Sequence, residues 1–97
     1  MNTLKLTLKK KWFDMIASGV KKEEYRAPSR WIRSRLVHKV CAYDAVDFTN
    51  GYGANKPFIR VEFLGFEFGD GKPEWGGTKG VYIIKLGKIL ERRNIKP

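Results

Sequence analysis

The densest chemistry in the chain lies in eight residues, Gly19-Val20-Lys21-Lys22-Glu23-Glu24-Tyr25-Arg26. Lys21, Glu24 and Arg26 together offer two cationic donors and one carboxylate acceptor. Lysine and arginine hold a phosphate or a base carbonyl, and the carboxylate accepts from an exocyclic amine. A buried Lys21 could instead carry a lowered pKa and act as a general base, with Glu24 beside it. In a regular strand Glu24 and Arg26 share one face while Lys21 and Tyr25 point the other way. Lys21 therefore meets Glu24 only if it precedes the regular strand or a bulge intervenes, and Gly19 permits such an irregular entry. The same residues also fit a surface ion-pair ladder worth at most about 1 kcal/mol per pair. On the residues alone, the ladder is the simpler account.

Further candidates lie along the chain. Arg30, Arg33 and Arg35 with Trp31 could form a stacking and phosphate-binding surface, or equally a half-buried tryptophan among solvated arginines. Gly51-Tyr52-Gly53-Ala54-Asn55-Lys56 lacks the spacing and hydroxyl residue of a Walker loop. It reads as a wide hairpin turn from which Tyr52 could hang over a cleft as a base platform. Glu74-Trp75-Gly76-Gly77 is either a lid or a loop pinned by a packed tryptophan. His38 is the only histidine and reads as solvated near a helix end, and Cys41 as a core residue.

The elements that must position these residues follow from periodicity. Leu4, Leu6 and Leu8 alternate with Lys5, Thr7 and Lys9, which makes a strand with one buried face. Trp12, Phe13, Met15, Ile16 and Ala17 then give a short amphipathic helix ended by Gly19. A second strand is expected from about Val20 to Arg26. Pro28 excludes helix at Ala27, and Ser29 can cap a second helix near Arg30. That helix would carry an apolar stripe of Ile32, Leu36, Val37, Val40 and Cys41. Val46 and Phe48 alternate with Asp47 and Thr49 as a third strand. From Phe58 to Phe68 the apolar phase slips near Leu64-Gly65, as a bulge requires. Asp70-Gly71-Lys72-Pro73 is a turn, and Val81 to Leu86 reads as a central strand covered on both faces. The order β-α-β-α-β-β-β makes one α+β domain over residues 1–97, with a curled sheet able to close as a small barrel.

Composition narrows the class. Hydrophobic residues at 42% and charged residues at 31% lie in the globular range. No apolar run approaches the roughly 18 residues of a membrane span, and the first residues lack the pattern of a signal peptide. A single cysteine excludes an internal disulfide and argues against a zinc cluster. A cytoplasmic protein with no metal, cofactor or membrane partner is the expectation. The net charge is +10 and uneven: residues 1–42 hold eleven basic and three acidic side chains, residues 43–97 nine and seven. Such a field attracts polyanions, because neutralising phosphates releases condensed counterions.

The pattern G-x-K-x-x-E-x-R after a strand and a short helix resembles the ASCH domain family, relatives of the PUA fold, in its small single-domain bacterial or phage form. The resemblance extends over most of the chain and reverses the weighing against the surface ladder. It implies a PUA-like β-barrel of about five strands and two helices, with a basic cleft that binds RNA or a nucleotide beside the motif. Lys21, Glu24, Arg26, Arg30, Arg33 and Tyr52 would be the binding residues. The alternative it implies is a hydrolase acting on RNA or a modified nucleoside through Lys21 and Glu24. One bacterial group of relatives removes the acetyl group from N4-acetylcytidine with a lysine where Lys21 stands, a threonine three residues later and a distant glutamate. Here Glu24 stands in place of that threonine, and Glu74 is the nearest candidate for the distant carboxylate. Hydrolysis of N4-acetylcytidine is therefore expected to be absent or very weak.

Overall fold

The computed structural model describes residues 1–38, 42–53 and 55–95. The chain runs β1 (Thr3–Leu8), α1 (Lys10–Ala17), β2 (Glu23–Arg26), α2 (Arg30–Leu36), β3 (Ala45–Asn50), β4 (Phe58–Gly69), a 3₁₀ turn (Pro73–Trp75) and β5 (Val81–Arg93). This is the expected α+β order. Five strands form one curled sheet in the order β1-β3-β4-β5-β2, in which β1 and β3 run parallel and the other neighbours antiparallel. β1 and β2 are thus the two edges of the sheet. The Arg26 side chain spans them, its Nη2 donating to the Thr7 carbonyl at 2.9 Å.

The core lies on the inner face. Leu4, Leu6 and Leu8 of β1, Val46 and Phe48 of β3, Ile59 and Val61 of β4, and Ile84 and Leu86 of β5 meet Phe13 and Ile16 of α1 and Ile32 and Leu36 of α2. β5 is an interior strand between β4 and β2, covered on both faces as anticipated, with Val81, Ile83, Ile84 and Leu86 all buried. The phase slip in β4 is a run of register shifts against β5 between Arg60 and Phe66, with Gly65 at φ 115°. At and beyond that bend Leu64, Phe66 and Phe68 do not turn into the core. They stay exposed, and Phe66 and Phe68 set their ring edges against Tyr82.

Three expectations are corrected. β2 begins at Glu23 rather than Val20, because the Val20 and Lys21 amides are still tied to the Met15 carbonyl of α1. α2 starts at Arg30, capped by the Ser29 hydroxyl on the Ile32 amide, but ends at Leu36. There the His38 amide reaches back to the Arg33 carbonyl and Tyr43 donates its hydroxyl proton to the Arg35 carbonyl at 2.8 Å, closing the last turn. Val37 is left half exposed, and the rest of the proposed stripe, Val40 and Cys41, lies outside the described residues. Asp47, read as outward-facing, is buried, because Arg60 covers it with two bonds, Nε to Oδ1 at 2.7 Å and Nη2 to Oδ2 at 3.0 Å.

The loop from Asp70 to Gly80 folds back on itself. Gly71 donates its amide to the Thr78 carbonyl and Gly77 to that of Lys72, so the backbones of Gly71 and Gly77 cross in contact. A Cβ on Gly77 would overlap the Gly71 and Lys72 backbone, whereas one on Gly53, at φ 101°, meets nothing within 4 Å. Gly77→Ala should therefore cost about 3 kcal/mol through overpacking, and Gly53→Ala about 1 kcal/mol from the left-handed backbone alone. At roughly 4–8 °C per kcal/mol for a domain this size, thermal denaturation separates the two. Equal midpoints would contradict the crossing.

Candidate functional site

Helix α1 ends in a Schellman turn. The Gly19 amide bonds the Ile16 carbonyl, the Val20 amide bonds the Met15 carbonyl, and Gly19 takes φ 84°. That turn delivers Lys21 before the regular strand begins, so its side chain escapes the alternation that would have sent it away from Glu24. The Lys21 ammonium lies 3.4 Å from Glu24 Oε1 and donates to the Trp75 carbonyl at 2.9 Å. The Tyr25 ring lies 4.5 Å from it and the Trp12 ring 5.5 Å. Only 2% of Lys21 and 5% of Glu24 is exposed.

The other carboxylate oxygen belongs to arginine. Arg26 Nε and Nη2 both reach Glu24 Oε2, at 3.0 and 2.9 Å, while Nη2 also holds the Thr7 carbonyl. A relay therefore runs from the 70–80 loop through Lys21, Glu24 and Arg26 to β1. Tyr25 clamps the same loop from the other side of β2, since its hydroxyl donates to Glu23 and accepts from the Lys72 amide. Burial and the bond to Glu23 push the Tyr25 phenol up to about 12. For Lys21, desolvation dominates and lowers the pKa, with Glu24 opposing it.

An open groove of about 250 Å³ lies over this relay, lined by Thr7, Lys9, Trp12, Glu24 and Arg26 among others. Its volume falls below the roughly 300–1,000 Å³ of pockets for drug-sized ligands. Glu24 presents an acceptor, Arg26 a donor, Trp12 an aromatic face and Lys9 an exposed cation at the rim. The structure brings Lys21, Glu24 and Arg26 together but does not add the remaining proposed residues. Arg30 and Arg33 are solvated on α2, and Tyr52 is 84% exposed on the β3–β4 loop; none of the three is among the described residues lining the groove.

Two features were missed from sequence. Trp12, assigned to the helix stripe, is instead half-buried over the lysine, pressed against Gly76, whose added Cβ would stand 2.7 Å from the indole. Its place directly after Lys9-Lys10-Lys11 was the available signal. The acceptor for Lys21 is a backbone carbonyl, for which side-chain patterning gives no signal. Of the two readings of the 70–80 loop, pinning fits better, since the backbone of Trp75 is held by Lys21 and its ring lies under the Lys72 ammonium at 4.5 Å. Glu74 is exposed on that turn. Among the described residues no group of three histidine, cysteine or carboxylate side chains could hold a metal, and no helix is long and apolar enough to cross a membrane. No family model, curated protein or solved structure matches the chain.

An ammonium with a lowered pKa binds fewer protons in the folded protein than in the unfolded chain. This group's contribution to stability therefore rises with pH between its folded pKa and the usual 10.5, and is least below that window. Denaturant unfolding of the wild type against Lys21→Met should show the difference moving in favour of the wild type as pH climbs towards 10.5. A difference that stays flat or moves the other way would mean that the ammonium is not desolvated.

Proposed function

We propose that the protein is an RNA- or nucleotide-binding domain of the ASCH type, a PUA-like β-barrel that takes one base in the groove over the motif. The observation that carries this reading is that Glu24 and Arg26 line one open groove together with Trp12 and Lys9. In this reading the carboxylate and the guanidinium read the edge of a base, the indole stacks on its face, and Lys9 meets its phosphate. Lys21 in this reading is a positioning residue. Its proton-bearing nitrogen is occupied by the Trp75 carbonyl and Glu24, and it holds the Glu24 carboxylate in place from behind. The field of the basic half, Arg30 and Arg33 included, then draws the polyanion in.

Because Glu24 accepts and does not donate, the groove should favour a base with an exocyclic amine. Cytidine monophosphate is expected to bind about tenfold more tightly than uridine monophosphate, as one hydrogen bond to a charged group of about 1.5 kcal/mol gives. Glu24→Gln should narrow that preference, and Lys9→Ala, at an exposed position, should weaken both nucleotides alike. Calorimetric titration measures this. Equal affinity for the two nucleotides, unchanged by either substitution, would defeat the reading.

The lowered pKa of Lys21 favours a second reading, a hydrolase that uses the amine as general base. A base must reach the proton that it removes, and this nitrogen is enclosed by a carbonyl, a carboxylate and two rings. Incubation with N4-acetylcytidine should therefore yield no cytidine above the uncatalysed rate. Rapid release that vanishes in Lys21→Ala would establish the enzyme instead.

A further inference from the structure

The outward row of β1 carries more than the motif groove. Leu4, Leu6 and Leu8 point into the core, which turns Thr3, Lys5 and Thr7 outward, with Lys9 next in line. Two further grooves open along this row. One, of about 420 Å³, lies on the outer sheet face and is lined by Lys5, Thr7, Phe58, Arg60 and Arg93 among others. The other, of about 280 Å³, lies between β1 and α2, lined by Thr3, Lys5, Trp31 and Arg35 among others. Neighbouring grooves share a β1 residue: Thr7 belongs to the motif groove and the sheet groove, Lys5 to the sheet groove and the α2 groove.

Each groove is lined by at least one aromatic ring that has a cation near it, Trp12 with Tyr25 in the motif groove, Phe58 in the sheet groove and Trp31 with Tyr43 in the α2 groove. Lys11 lies 4.7 Å from the Trp12 ring, Arg93 4.0 Å and Arg60 5.8 Å from Phe58, and Arg35 5.0 Å from Trp31. Arg60 and Arg93 are balanced by Asp47 and Glu91. Lys5, Lys9, Lys11 and Arg35 form no ion pair among the described residues, so the row carries unbalanced positive charge. The six residue steps from Thr3 to Lys9 span about 20 Å at roughly 3.3 Å per residue.

We propose that this row is a track for single-stranded RNA, with one base in each of the three grooves and the backbone following Lys5 of β1 and Lys9 just beyond it. The proposal rests on the nucleotide reading of the motif groove and extends it to a polymer. Bases reach separate aromatic platforms only when they are unstacked and splayed, which a single strand permits and a duplex does not. The hydroxyls of Thr3 and Thr7 alternate with the lysines and suit a 2′-hydroxyl, which both donates and accepts.

The test is fluorescence anisotropy of the full chain with cytidine monophosphate and with oligocytidylates of two, four and eight nucleotides. Affinity should rise at least tenfold from the mononucleotide to the tetranucleotide and then level off. With three phosphates engaged, log K against log salt should have a slope of about −2, at roughly −0.7 per phosphate. Lys5→Glu and Trp31→Ala, both at exposed positions, should each weaken the tetranucleotide at least fivefold and leave the mononucleotide unchanged. Lys88→Glu, exposed on β5, should change neither. Equal affinity at every length with the mononucleotide still bound would overturn the track and leave the motif groove standing. Failure of every length to bind would remove both. Equal loss in Lys88→Glu would mean diffuse charge and no track, and a deoxyribonucleotide of the same length bound as tightly would overturn the assignment to RNA.

Discussion

Burying the Glu24 carboxylate costs several kcal/mol of hydration unless both oxygens are answered by positive charge and hydrogen bonds. They are answered from opposite sides. Lys21 meets one oxygen and carries the connection on to the Trp75 carbonyl; Arg26 takes the other and carries it to the Thr7 carbonyl. A single ionised group thereby ties together α1, β2, the 70–80 loop and β1. Arg26 in particular joins the two strands that form the open edges of the sheet, a connection that no backbone ladder makes. Removing either partner of such a buried pair costs about 3–5 kcal/mol, because the remaining charge is left without its complement. The relay is thus part of the architecture as well as the floor of the groove.

That double duty is the ground on which the proposed function prefers binding to catalysis at Lys21. Burial lowers its pKa in the direction that a general base needs, yet the same burial spends the ammonium's protons on internal acceptors. A group that holds the loop and the carboxylate between two aromatic rings, with 2% of its surface exposed, is inaccessible. The side chains that line the groove are the ones it holds in place, Glu24 and Arg26, together with Trp12 and Lys9. Preorganised polar groups on strands, backed by locked neighbours, are the arrangement by which a binding site gains specificity.

Much of this architecture was legible in the residues. The alternation of Leu4, Leu6 and Leu8, the helix ended by Gly19, the Ser29 cap, the apolar β5 and the bend at Gly65 all follow from local patterning, and each is found. The meeting of Lys21 with Glu24 was conditional on an irregular entry to β2, and the Schellman turn meets that condition. What patterning did not reach depends on contacts far apart in sequence. Trp75 offers a carbonyl, which has no side-chain signature, and reaches Lys21 only because Gly71 and Gly77 let two backbones cross. Asp47 alternates like a solvent-facing residue, but its burial is set by Arg60 on the neighbouring strand. The shortening of α2 depends on Tyr43, seven residues beyond the last helical residue, taking the Arg35 carbonyl. Arg30, Arg33 and Tyr52 satisfied compositional expectations for a nucleic-acid surface, whereas the groove is built from Trp12, Lys9 and Thr7, which looked like ordinary members of a helix and a strand.

The most direct measurement is a crystal structure with cytidine monophosphate bound. The expected result is the cytosine ring against Trp12, its exocyclic amine on Glu24, its phosphate near Lys9, and the Lys21 ammonium still on the Trp75 carbonyl. A nucleotide lodged away from this groove, or a Lys21 side chain swung out to touch the ligand, would contradict the assignment of Lys21 as the fixed support beneath a base-reading pair.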